Sequence, residues 1–293
     1  MPAGHSTSVR GRQLISELRR LREAAGMTQA DVAERLDWHH TKVFRIETGR
    51  TSPHPNDVRT LLGLYGVIEE SDQNALIQLA RNARKHGWWY AYRDILPSHY
   101  QVYIGLESEA ASIRSFELAV VPGLLQTRDY ARALMTSGPL ELDHDEIERR
   151  VEVRMTRQKI LDAPDRPQLW VILDEAVLHR PVGGREVLCA QIRRLLEASE
   201  QAKITIQVLP FRLGAHPGMI GPFTVLGFPQ PSDLDVVYME TIAGNMYVDE
   251  AGEVGHYATA FDHLRAEALN VRDTRDMLNA ALQELKCSVK GGS

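Results

Sequence analysis

Through the first 66 residues, apolar positions recur every three or four places, in short blocks broken by Gly, Pro or a polar cap. In "GRQLISELRRLREAAG" the stripe is Leu14, Leu18, Leu21 and Ala25, with the arginines left outside. Gly26 suits the left-handed position just past a helix end. Thr28, with Asp31 three residues on, reads as a capping-box-like start. The helix it opens turns Val32, Ala33 and Leu36 to one face. Asp37 stands where a sharp corner needs positive φ, which Asp tolerates. A third helix carries Trp38, Val43 and Ile46 inward and stops at Gly49. "PNDVRTLLGLYG" then closes a small bundle with Val58, Leu61, Leu62 and Tyr65.

Farther along, the period changes. "EESDQNALIQLARNARKHG" predicts a fifth helix with Leu76, Leu79 and Ala80 on one side, linking the head to the rest. Trp88, Trp89, Tyr90 and Tyr92 follow, either as packing between domains or as the wall of a ligand or protein site. In "VVPGLLQTRDYARALMTSG", Pro122 and Gly123 turn the chain and Thr127 or Asp129 starts a helix. "LDHDEIERRVEVRMTRQKILD" reads as a long helix with opposite charges at helical spacing, a solvated face. "LWVILD" and "KITIQVLPF" are strands around the amphipathic helix "REVLCAQIRRLLEASE" (Val187, Ile192, Leu195, Leu196), which predicts a parallel pair with a right-handed crossover. "PFTVLGFP", "DVVYMETI" and "NMYVD" read as further strands, turning at "QPSD" and "AGN". Two helices, about 252–268 and 271–286, close the chain.

Charge sharpens this division. The net charge is −5, yet residues 1–66 hold 10 Lys/Arg against 7 Asp/Glu, while the rest holds 24 against 32. A basic head on an acidic body can take phosphate locally. The basic groups also cluster. His39, His40, Thr41, Lys42 and Arg45 fall at the start and on the outward side of the third helix, with Arg50 just beyond it. Such a helix fits the major groove of B-DNA with its first residues at base edges. Thr28 and Gln29 sit at the start of the second helix, where free N–H groups favour phosphate.

Residues 12–66 resemble the lambda-repressor-like (XRE, or Cro/C1) helix-turn-helix family, through "TQADVAERL", the small Ala33, Val43, Ile46 and "IETGRTSP". The resemblance implies that Gln29 binds phosphate and that His40, Thr41 and Arg45 approach bases. It also implies that Arg22 pairs structurally with Glu47. Asp37 and His39 depart from the usual residues at the corner and cap. From about 100 to 285, "VPGLLQTRDYARAL", "LDEAVLHRPVGG", "QVLPFRLGAHPGMIGPFTVLGFP" and "FDHLRAEAL" resemble the domain of unknown function DUF5753. The pairing is similar to WhiJ-like, antitoxin-like Scr1-family regulators of actinomycetes, and it implies a small DUF397-type protein partner. The expected architecture is α+β: an all-α helix-turn-helix bundle at 1–66, a helical and aromatic linker at 67–99, a mixed α/β regulatory and dimerisation domain at 100–286, and a flexible tail at 287–293.

Enzyme chemistry finds little support. Asp174 and Glu175 follow a strand, His179 lies four residues beyond Glu175, His216 sits in "GAHPGM", and Glu240 lies in a strand. Strand ends are where α/β folds place their sites. Yet no nucleophile elbow, P-loop or dinucleotide glycine pattern is present, and "EAVLH" lacks the second His of a zinc protease pair. Cys189 and Cys287, far apart, make neither a disulfide framework nor a zinc spacing and fit a reducing compartment. No apolar run approaches the roughly 20 residues of a membrane span, and "MPAGHSTSVRGR" lacks a signal-peptide core. The expectation is a cytoplasmic, non-enzymatic, homodimeric regulator of double-stranded DNA without metal or cofactor. The alternative is a small-molecule sensor whose pocket uses Trp88, Trp89, Tyr90, His216 or Glu240.

Overall fold

The computed structural model describes residues 9–83, 87–138, 142–229, 235–241 and 244–287. The chain is α+β and divides into two compact units, Met1–Arg93 with Pro97–Glu109, and Asp94–Leu96 with Ala110–Ser293. The turn expected at 230–233 and most of the tail expected at 287–293 lie outside the described residues, as does part of the turn at 243–245.

The first unit is helical: α1 (Val9–Ala24), α2 (Gln29–Arg35), α3 (His40–Glu47), α4 (Pro55–Leu64), α5 (Glu70–Ala83) and α6 (Ser98–Glu109), with a short 3-10 helix at Trp88–Tyr92. The stripes converge as their spacing requires. Leu14, Leu18, Val32, Val43, Ile46, Val58, Leu61 and Leu62 form one core, completed by Tyr65, Ile77 and Ala80. Ile77 and Ala80 belong to α5, so the helix expected to begin a linker packs into the head's own core instead. Thr28 accepts from the Asp31 N–H while Asp31 accepts from the Thr28 N–H, which closes the capping box at α2. Asp37 turns the corner with φ 52°.

The second unit holds β1 (Ser112–Glu117), α7 (Arg128–Thr136), α8 (His144–Gln158), β2 (Gln168–Asp174), α9 (Ala176–His179), α10 (Arg185–Ala198), β3 (Ile204–Leu209), β4 (Phe223–Gly227), β5 (Val236–Thr241), β6 (Gly244–Val248), α11 (Ala251–Glu267) and α12 (Val271–Cys287). Its sheet runs β3-β2-β1-β4-β5-β6. The first three strands are parallel, as the strand–helix–strand pattern demands, and the others antiparallel. Phe116 lies opposite Phe223, so the ends of β1 and β2 share an edge with the start of β4. One face packs Phe116, Ile172, Val225 and Val237 against Val254, Phe261 and Leu264 of α11. The outer edge of β3 is covered: Leu269 N–H donates to the Val208 carbonyl, and Val208 N–H donates to Thr274 Oγ1. No helix among the described residues is long and apolar enough to cross a membrane.

In the head, α3 is tied to α1 by a buried ion pair. Arg22 Nε donates to Glu47 Oε1 at 2.7 Å, and Arg22 Nη2 donates to Glu47 Oε2 at 3.1 Å. The Glu47 side chain is only 2% exposed. Arg22 Nη1 also reaches the Met27 carbonyl, and Arg19 reaches the Glu47 carbonyl. Removing one partner of such a pair strands the other charge without water, at a cost of roughly 3–5 kcal/mol. Glu47→Ala is therefore expected to raise amide hydrogen exchange across α1 to α4, read peptide by peptide, while β1 to β3 stay protected. Unchanged exchange in the head would show that the pair does not hold it.

Candidate nucleic-acid interface

α3 is short, and its two faces are set by packing. Val43, Ile46 and Glu47 are buried. The opposite stripe is therefore His40, Thr41, Phe44, Arg45 and Thr48 by helical spacing; all but the half-buried Thr48 are exposed. The helix begins at an unusual cap. His39 Nδ1 accepts from the Thr41 N–H at 3.4 Å and lies 2.8 Å from Thr41 Oγ1. An imidazole can accept there only through an unprotonated Nδ1. The same device recurs at α4, where His54 Nδ1 faces the Asn56 N–H at 3.3 Å.

The expected DNA-contacting residues separate into free and engaged. Arg45 is exposed, and among the described residues its side chain has no hydrogen bond or ion pair. Arg50 is exposed, with its guanidinium 5.3 Å from the Phe44 ring. Lys42 is engaged: its Nζ is 2.8 Å from Asp57 Oδ1 and 3.6 Å from the Trp38 ring centre. It braces α3 against the start of α4. Gln29 is half-buried, and its Nε2 donates to Glu47 Oε2 at 2.7 Å. An amide nitrogen carries two hydrogens, so one N–H of Gln29 is still available. Thr28 is exposed beside it, with its hydroxyl occupied as the α2 cap. Phe44, also on this stripe, was not among the expected contacts. Its signal was present all the same, since four residues from His40 is one helical turn.

In the second unit, the candidates for chemistry turn out to anchor a loop. Asp174 Oδ1 accepts from the Ala176 N–H, and Glu175 Oε2 accepts from the Phe211 N–H, both within 2.8 Å. His179 stacks on Phe211. His216 is half-buried, but its side chain is shielded edge-on against Phe116, with Nε2 3.6 Å from Asp174 Oδ2 and Nδ1 without a hydrogen-bond partner among the described residues. Gly218 lies so close to Phe116 that a Cβ would come within 2.3 Å of the ring. Glu240 is exposed on β5, and His216 pairs with Asp174 instead of with it. Trp88, Trp89 and Tyr90 lie in the first unit, where Trp88 meets Trp89 and Tyr92 edge-on.

A polar cluster that the sequence did not announce lies on β1. Glu117 Oε1 accepts from Ser115 Oγ at 2.8 Å, and Ser115 Oγ is 3.3 Å from Thr224 Oγ1. Glu240 and Arg154 act on Glu117 electrostatically in opposite directions, the first raising and the second lowering its carboxyl, and among the described residues no ion pair joins Arg154 to it. Arg154 donates to Gln126, and its Nε is buried without a partner among the described residues. Burial, reinforced by the Glu240 charge, pushes the Glu117 carboxyl up to about 7.

Two family models match the chain: a helix-turn-helix domain over residues 13–76, and a domain of unknown function, DUF5753, over residues 100–280. No curated protein and no solved structure matches it.

Because the folded state holds a proton on Glu117 up to about 7 and the unfolded chain releases it near 4.5, the folded state loses stability as pH rises through that window. Glu117→Gln cannot ionise. It is expected to melt with wild type at pH 5 and above it at pH 8, by about 1–3 kcal/mol. An equal offset at both pH values would mean that Glu117 does not titrate in this window.

Proposed function

The chain belongs to the DUF5753 family and carries an N-terminal helix-turn-helix domain, which makes it a DNA-binding regulator, and we propose that it reads a specific duplex sequence by placing α3 in the major groove. The observation that carries this reading is the outward stripe of α3, held in place by the buried Arg22–Glu47 pair and left with an uncommitted Arg45. His40, Thr41 and Arg45 are the base-side residues. Gln29, fixed by Glu47, offers its second N–H to a phosphate, with Thr28, His39 and Arg50 flanking the backbone. Lys42 contributes by bracing α3 more than by touching DNA.

One such head contacts few base pairs, so the regulator acts as a homodimer on an inverted repeat. The second unit supplies dimerisation and the docking surface for a small DUF397-type protein, and the dimer represses by covering its promoter. A second reading, sensing of a small molecule, is favoured by the half-buried Glu117, whose carboxyl is pushed up to about 7, and by Arg154, whose buried Nε has no hydrogen-bond partner among the described residues. A sensor responds to its effector with a joint shift in melting and operator affinity. A partner-controlled regulator co-purifies with the small protein and shows no such shift.

Selection of duplexes from a random pool tests the main reading. The enriched sites are expected to be inverted repeats with half-sites roughly one helical turn apart or a multiple of it. On them, Arg45→Ala is expected to cost about 1–3 kcal/mol, and Lys42→Ala under about 1 kcal/mol. Intact binding by Arg45→Ala would move the recognition face elsewhere.

A further inference from the structure

A single exposed phenylalanine on a protein surface is ordinary. Phe44 is notable for its position. It is 39% exposed, one turn along α3 from His40 and between His40 and Arg45 around the helix. Its neighbours on that stripe, His40, Thr41, Arg45 and Thr48, are all polar. The buried residues of α3 face the other way, so no rearrangement of the core is needed to present this ring.

The ring is also held. The Arg50 guanidinium lies 5.3 Å from its centre. Arg50 reaches that place because the chain leaving α3 turns at Gly49, with φ 71°, and is pinned where Thr51 N–H donates to the Arg45 carbonyl. Thr48 Oγ1 donates to the Phe44 carbonyl at 2.7 Å, stiffening the last turn. A cation over one ring face leaves the other face and the edge of this exposed ring as apolar surface.

The major groove presents only one apolar group at base edges, the C5-methyl of thymine. We propose that Phe44 is a specificity-determining residue that packs on the C5-methyl of a thymine in each half-site, while Arg50 fixes the ring and meets the adjacent backbone. This rests on the reading that α3 enters the major groove. It adds a base preference that polar contacts from His40, Thr41 and Arg45 do not supply.

The test begins with a duplex selected from a random pool by the full chain. Each thymine in that duplex is replaced in turn by deoxyuridine, which removes the methyl and keeps every hydrogen-bonding group. Affinity is measured for wild type, Phe44→Ala and Phe44→Leu. At one thymine per half-site, wild type is expected to lose about three- to fivefold, the scale of one buried methyl. Phe44→Ala should bind the thymine duplex more weakly and be indifferent to deoxyuridine at that position. Phe44→Leu, still apolar, should keep part of the methyl dependence and shows that the position, not a folding defect, carries the effect. A flat scan with wild type overturns the proposal, as does the same loss in Phe44→Ala. Failure to enrich any sequence overturns the DNA reading beneath it, so the two failures are told apart.

Discussion

Glu47 is the last residue of α3, and nearly everything about the recognition face follows from where its carboxylate is held. It receives Arg22 from α1 through two hydrogen bonds and Gln29 from α2 through a third. Three helices therefore meet at one carboxylate. An ion pair buried this deeply is a poor source of net stability, because desolvating both charges offsets most of their attraction. Its value is geometric. A hydrophobic contact at the same place would tolerate a rotated or slipped α3, whereas a fork of hydrogen bonds does not. With Glu47 pointing inward, Val43 and Ile46 enter the core and the His40-to-Arg45 stripe is obliged to face out. Tyr65 closes the site from α4, and its burial beside Glu47 pushes the phenol up, so it stays neutral.

The second unit is built on the opposite economy, with polar groups set into a central strand of its sheet. β1 is central, between β2 and β4, and yet it carries Ser115 and Glu117. Their hydrogen-bonding needs are met locally, by each other and by Thr224. The segment after β1 is held in the same way by buried amides. Gln126 Nε2 donates to the Val121 carbonyl, and Gln191 both receives the Thr127 N–H and donates to the Leu125 carbonyl. Asp174, Glu175 and His216 do the corresponding work for the loop after β3. Groups that look catalytic in a list of residues are thus largely occupied with shaping two loops at one edge of the sheet. Arg154 Nε and His216 Nδ1 are the exceptions, each buried without a hydrogen-bond partner among the described residues.

This contrast explains what could be read from the sequence. α1 to α4 each bury one stripe of a helix, and their ends carry Thr28, Asp37 and Gly49, so period and punctuation agree. The buried strands β2 and β3 were legible as short apolar runs between turn signals. β1 was not, because "SIRSFE" alternates apolar with Arg, Ser and Glu, which reads as a surface segment unless the polar residues are known to satisfy one another. α6 escaped for a different reason: Tyr103 to Glu107 are buried in unbroken succession, so no one-sided stripe appears. At the interface, the Arg22–Glu47 pairing was readable through family resemblance, but the Lys42–Asp57 pairing was not. Fifteen residues separate that last pair, and only the folded approach of α4 to α3 brings them together.

Net charge is consequently a blunt guide to whether this head can hold DNA. Several of its cations are neutralised at short range: Arg20 by Glu17, Arg22 by Glu47 and Lys42 by Asp57. Those pairs give α1 and α4 their local order and bring no field to a phosphate. On α3 and the turn that follows it, Arg45 and Arg50 remain without an ion-pair partner among the described residues. Two guanidiniums without a neutralising carboxylate matter more to a duplex than a count over the whole head, because exposed charges act over about one Debye length, roughly 8–10 Å at physiological salt. The acidic remainder of the chain is compatible with that arrangement. Its net negative charge disfavours phosphate there, so the two arginines at α3 need not compete with the body for a polyanion.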